Sequence, residues 1–150
     1  MLLAKKIIMT EQTVITMEII GDPKAQKRHK HAKIGNFIKV YDPSEVDKRN
    51  YLLTLQHNAP EKPLSGPLEV VLTFYLGRPK NHYGSGKNSE MLKDSAPEWH
   101  SSKPDCDNLA KFVLDSLNGV FYTDDAKISC LATRKLYSDR PRTEIIIKTL

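Results

Sequence analysis

Residues 68–76, LEVVLTFYL, constrain the fold more than any other stretch of the chain. A strand that faces solvent on one side alternates apolar with polar side chains. The middle of this run is apolar on both alternations, which predicts a central, well-buried strand. Around it, residues 13–20 (TVITMEII), 36–41 (NFIKVY), 127–137 and 143–150 read as further strands. Ser138, Asp139, Arg140 and Pro141 would join the last two as an antiparallel hairpin. One helix is expected from Pro43, Ser44 and Glu45 to Asn58, Ala59 and Pro60, with Val46, Tyr51, Leu52 and Leu55 as its apolar stripe and Lys48 and Arg49 on a solvated face. A second helix carries Leu109, Phe112, Val113 and Leu117 on one stripe and stops at Asn118-Gly119. The order β, β, α, β, long loop, α, β, β predicts one α+β (or α/β) domain over 1–150, with a mixed sheet of about five strands and two main helices.

At 150 residues, 39% hydrophobic and 27% charged, the composition is that of an ordinary single domain. Residues 1–10 read as a peripheral extension, in which Met9 is an alternative start to Met1. The lysines inside MLLAKKIIM argue against a signal peptide, and no run approaches the roughly 20 apolar residues of a membrane span. Cys106 and Cys130 form no metal spacing and suit a reducing compartment, so the cytoplasm is the expected location.

A net charge of +5 permits nucleic-acid binding without establishing it. The cations are concentrated in residues 24–33, KAQKRHKHAK, which hold Lys24, Lys27, Arg28, Lys30 and Lys33. Alone, such a run is a solvated loop; beside an acidic metal site it reads as a phosphate-contacting arm. His29 and His31, set among those cations, make a poor metal site. Residues 77–102 show no periodicity, and that is long for an idle connection. They combine Arg78, Lys80, Lys87 and Lys93 with Tyr83 and Trp99, so a substrate-binding element and a flexible insertion are both open.

Residues 103–125, KPDCDNLAKFVLDSLNGVFYTDD, hold five of the 18 acidic residues. Carboxylates so gathered repel one another, and a cation is expected between them. If the lead-in is extended, Asp105 and Asp107 project to one side about 6.6 Å apart, near enough to share one divalent ion. Asp107 or Asn108 could instead cap the helix, which accounts for one aspartate but not for the second pair, Asp124 and Asp125. Those two either solvate a turn or return opposite Asp105 and Asp107. Lys111, one turn from both Asp107 and Asp115, is either a surface ion pair or an ammonium beside the metal; Asp115 reads as structural. Leu109, Ala110 and Ser116 stand where a calcium loop requires an oxygen ligand, glycine and glutamate, so an EF-hand is excluded.

The segment resembles the central motif of the RusA family of Holliday junction endonucleases: K-P-D-x-D-N-L-x-K, then D-x-L-N-G, then an aromatic residue and D-D. The resemblance implies a small, dimeric, Mg2+-dependent resolvase, with Mn2+ as a substitute, of a kind carried by phages and prophages. It implies Asp105, Asp107 and Asp125 as metal ligands, Asp124 in support, and Lys111 in cleavage. Lys24, Lys27, Arg28, Lys30, Lys33 and Lys103 are the expected DNA contacts. Cys106 replaces an aliphatic residue of the motif, and the 77–102 loop is long. The expected activity is resolution of four-way junctions by paired symmetric nicks in DNA recombination and repair. The rivals are a broader branched-DNA or flap nuclease and a non-catalytic nucleic-acid-binding protein.

Overall fold

The structure, a computed structural model, describes residues 11–150; the expectations for residues 1–10, including the alternative start at Met9, lie outside them. The chain runs β1 (Val14–Ile20), β2 (Lys30–Ile34), β3 (Phe37–Tyr41), α1 (Glu45–Leu55), β4 (Leu68–Gly77), α2 (Cys106–Leu117), β5 (Ile128–Ser138) and β6 (Arg142–Thr149). Four strands form a mixed sheet in the order β1-β6-β4-β5, with β4 antiparallel to β6 and parallel to β5. The α+β class, the mixed sheet and the two helices are as expected.

β4 occupies the interior because its side chains leave it no exposed alternative. Leu68, Val70, Leu72 and Phe74 are fully buried on one face, beside Ile145 and Ile147 of β6 and Met17 of β1. Tyr51 and Leu55 of α1 and Leu109, Phe112, Val113 and Leu117 of α2 close that core. Where the two helices meet, the Tyr51 and Phe112 rings stand edge to face at 5.3 Å. The opposite face of β4 is half-buried; there the Arg142 guanidinium lies 3.5 Å from the centre of the Tyr75 ring. Among the described residues no helix is long and apolar enough to cross a membrane.

Three expectations are corrected. β5 and β6 are not a hairpin, because β4 lies between them. Residues 139–141 step past the end of β4, a distance of about 10 Å that four Cα intervals readily bridge. Residues 36–41 do not join the main sheet: Phe37–Tyr41 pairs with Lys30–Ile34 in a separate ribbon, so part of the basic arm is strand. In α1, Val46 is 65% exposed, whereas Lys48 is largely covered, reaching Asp42 at 2.8 Å and Asp115 of α2 at 3.0 Å.

Candidate active site

The motif's first aspartates lie at the N-terminal end of α2. The helix begins at Cys106 with Asp105 as its N-cap residue, and the Asp105 carbonyl accepts the first helical bond from Leu109 N–H at 3.1 Å. Neither Asp107 nor Asn108 is the cap. Asp107 lies inside the first turn, so the extended 105–107 geometry does not occur. An acid in the first turn complements the helix dipole, which accounts for Asp107 locally. The Asp105 carboxylate makes no capping hydrogen bond, so helix initiation does not account for that side chain.

Four contacts fix this end of the helix. Lys135 Nζ of β5 donates to the carbonyls of Ser102 and Pro104 at 2.6 and 2.8 Å. Cys106 Sγ meets Thr133 Oγ1 at 2.9 Å. Gln26 N–H donates to the Asn108 carbonyl at 2.9 Å, bringing the basic arm against the helix. Together they shape an open, polar cleft of about 710 Å³ lined by Arg28, Lys103, Pro104, Asp105 and Asn108. Asp107 and Lys111 are exposed on the adjoining part of α2. Two predicted DNA contacts and one predicted metal ligand therefore share one cleft.

The second aspartate pair lies elsewhere in the chain. Asp124 Oδ1 accepts the Ala126 N–H at 3.0 Å, and this bond, with one to Asp125, holds the Asp124 carboxyl below its usual range. Asp125 is pushed up by its hydrogen bond to Asp124, then by burial and the nearby charges of Asp124 and Asp115. Its position follows from the fold. Cys106 packs at Thr133, five residues or about 17 Å along β5 from the strand's start, and Asp125 opens the turn Asp125–Lys127 that leads into that start. Asp125 thus stands beyond the C-terminal end of the 12-residue α2, near Asp115 rather than opposite Asp105. Among the described residues, no three His, Cys, Asp or Glu side chains group closely enough to hold a metal ion.

The donor set nevertheless fits Mg2+. That ion prefers hard oxygens, keeps several waters, and is commonly held by one or two carboxylates together with phosphate oxygens. Asp105 and Asp107 are exposed carboxylates beside cations suited to phosphate, and an ion bound there could take its remaining ligands from water and DNA.

A polar network hidden from sequence reasoning ties the arm to α2. Asp115 Oδ2 contacts Lys48 Nζ at 3.0 Å and Lys111 Nζ at 3.6 Å. Lys48 also reaches Asp42, which accepts from Ser44 N–H at 2.8 Å and Gln26 Nε2 at 2.9 Å. The buried Ser44 hydroxyl accepts from Lys27 N–H at 3.0 Å. The Asp42-Pro43-Ser44 sequence is an Asx-turn signal that could have flagged this corner. No sequence signal distinguishes Lys48 from a solvated lysine. Lys24 and Lys27 each lie 3.4 Å from Asp47, hold its carboxyl low, and are partly neutralised within the chain. Lys30 and Lys33 lie on β2.

Asp42 gives the network a pH signature. Burial raises its carboxyl, but the bonds from Lys48, Ser44 and Gln26 outweigh that and bring it down to about 2 from 3.8. A depressed carboxylate adds stability above its unfolded value, and that stability is lost as pH falls through the folded one. Between pH 4 and pH 2 the unfolding free energy should drop by about 1–2 kcal/mol more in the native chain than in Asp42→Asn. Urea titrations across that window check the difference.

Residues 77–102 are pinned rather than loose. His100 N–H donates to the Lys135 carbonyl at 3.1 Å and Tyr137 N–H to the Glu98 carbonyl at 2.8 Å, which covers one end of the outer edge of β5. The His82 and His100 rings pack on Tyr137 at 4.7 and 4.6 Å.

Comparison with known proteins places this geometry in a family. The chain is 31% identical over 136 residues to protein YqaN of Bacillus subtilis (strain 168), covering 89% of this chain and 95% of that one. It is 25% identical over 128 residues to the crossover junction endodeoxyribonuclease rusA of Lactococcus phage r1t, covering 83% and 88%. Residues 21–148, which span every strand of the arm and cleft together with both helices, match the family Endodeoxyribonuclease RusA, and the chain belongs to that family.

Proposed function

We propose that the protein is a Mg2+-dependent, structure-specific endodeoxyribonuclease that resolves four-way DNA junctions by paired, symmetric nicks during recombination and repair. The observation that carries this reading is the cleft itself, where the Asp105 carboxylate, free of any capping role, shares one surface with Arg28 and Lys103.

In this reading Arg28 and Lys103 hold the DNA backbone by charge-assisted hydrogen bonds and set its phosphates against the N-terminal end of α2. Mg2+ at Asp105 and Asp107 would supply Lewis-acid activation of the phosphate and of a water. Lys111, steered by Asp115, places an ammonium beside the same phosphate and offsets the charge that builds there during hydrolysis. Lys30 and Lys33 extend the cationic track along the arm, so affinity should fall steeply with salt.

Asp125 enters the reading through a second copy of the chain. Within one chain it stands beyond the opposite end of α2 from Asp105. A twofold homodimer can present the Asp125 of one protomer to the Asp105 and Asp107 of its partner. It also matches the approximate twofold symmetry of a four-way junction, with one site for each of two nicks.

A cleavage assay on a synthetic four-way junction and a linear duplex of the same sequence tests the function. Nicks at two symmetry-related positions in Mg2+ or Mn2+, absent with EDTA and absent on the duplex, are expected. Equal cutting of flaps and three-way junctions would assign a broader branched-DNA nuclease. No cutting of any branched substrate in either metal would leave a binding protein.

A further inference from the structure

The β2–β3 ribbon is the part of the molecule least accounted for by folding. Both of its ends are clamped to the body of the fold: Gln26 is bonded to Asn108 and Arg28 lines the cleft at one end, and Asp42 is anchored by Ser44 and by Lys48 of α1 at the other. Between these anchors the strands project and turn at Gly35-Asn36, with Gly35 at a φ of +60°. Pairing sets Ile34 opposite Phe37 on one face and Lys33 opposite Ile38 on the other. Among the described residues, neither face is covered. Phe37 is 81% exposed and Ile38 72%, and Ile34, Val40 and Tyr41 are exposed as well.

A two-stranded ribbon alone is marginal in water, and bare aromatic and aliphatic side chains on both faces of one are a liability unless a partner covers them. Charge selects the partner. Residues 28–41 contain Arg28, Lys30, Lys33 and Lys39, two histidines and no carboxylate. A second ribbon would bring four cations against four, whereas a polyanion meets both the charge and the shape, since a β-ribbon is narrow enough to enter a DNA groove. Apolar side chains carried into a groove act as wedges between base steps. Unstacking is least costly where pairing is already interrupted.

Resting on the nuclease reading for the identity of the ligand, we propose that the β2–β3 ribbon is the branch-recognition element, with Lys30, Lys33 and Lys39 on flanking phosphates and Phe37 stacked on a base exposed at the branch point. Five residues of strand give the ribbon a reach of about 16 Å from its root at the cleft, about five base steps along one strand. Phe37 thereby couples the shape of the DNA to the position of the cut. Selectivity for branched over linear DNA resides in the ribbon, and hydrolysis resides in the cleft.

The test uses a four-way junction with 2-aminopurine at the branch point, bound with Ca2+ in place of Mg2+, and the substitutions Phe37→Ala and Phe37→Trp. The native chain should change the probe's fluorescence on binding. Phe37→Ala should lose that change and bind the junction about tenfold more weakly, with a smaller loss on linear duplex, and Phe37→Trp should keep both. Since Phe37 is exposed, the alanine variant should fold with an unaltered melting temperature. Native fluorescence and affinity in Phe37→Ala would overturn the proposal. So would a shift of that variant from dimer to monomer in sedimentation, which would assign the ribbon to self-association. A native chain that binds the junction with the fluorescence change but never cuts it would sink the nuclease reading and leave the ribbon's role standing. A native chain that does not bind junctions would overturn both.

Discussion

Asp107→Asn should abolish junction cleavage while leaving the chain folded and still bound to DNA. The expected loss is about 10²–10³-fold in single-turnover rate, the equivalent of removing about 3–4 kcal/mol of metal-dependent stabilisation from the transition state. Two structural facts make the experiment clean. Asp107 is exposed, so the amide neither opens a cavity nor buries an unpaired group. Its local role is confined to the first turn of α2, where an acid contributes about 0.3–1 kcal/mol through the helix dipole. That amounts to a few degrees of melting temperature in a domain of this size. Junction affinity in EDTA should hold or rise, because one negative charge leaves the path of a polyanion. A purely structural Asp107 would show the reverse pattern, a lower melting temperature with normal cutting.

The parts of the fold that were legible in the sequence are those decided by burial. β4 could be read because its apolar middle has only one comfortable environment, and α2 because Leu109, Phe112, Val113 and Leu117 recur at helical spacing and are all buried. The hairpin expected for β5 and β6 does not form, because β4 takes neighbours on both edges and lies between two strands that are adjacent in sequence. The ribbon was half legible: β3 shows alternation, whereas Lys30–Ile34 looks like a solvated charge run because its side chains are matched to no core. The cleft was legible through its motif, yet the residues that hold it in shape were not. Lys135, Thr133, Lys48 and Gln26 act through backbone carbonyls and partly buried bonds set by tertiary placement, and their spacing in sequence carries no trace of this. The return from α2 to β5 shows the same limit. Sequence could show that Asp124 and Asp125 come back toward the sheet, but the strand they precede, running parallel to β4, carries them to the far end of the helix.

That separation leads to the most discriminating expected result, complementation between two inactive variants. Asp107→Asn and Asp125→Asn should each be inactive alone. If the Asp125 carboxylate serves the partner's Asp105 and Asp107, a heterodimer of the two variants places both defects in one site and leaves the other intact. Random exchange puts about half of the dimers in that mixed state, so roughly a quarter of all sites become functional. Those sites can nick but cannot make the paired cut, because their twofold mate is dead. The mixture should therefore convert a four-way junction to a singly nicked product at about a quarter of the native nicking rate and release few resolved duplexes. If each chain instead completed its own site, every site in the mixture would carry one defect and no nicking would return. Full activity in Asp125→Asn alone would remove that residue from the metal site and leave Asp105 and Asp107 as its carboxylates.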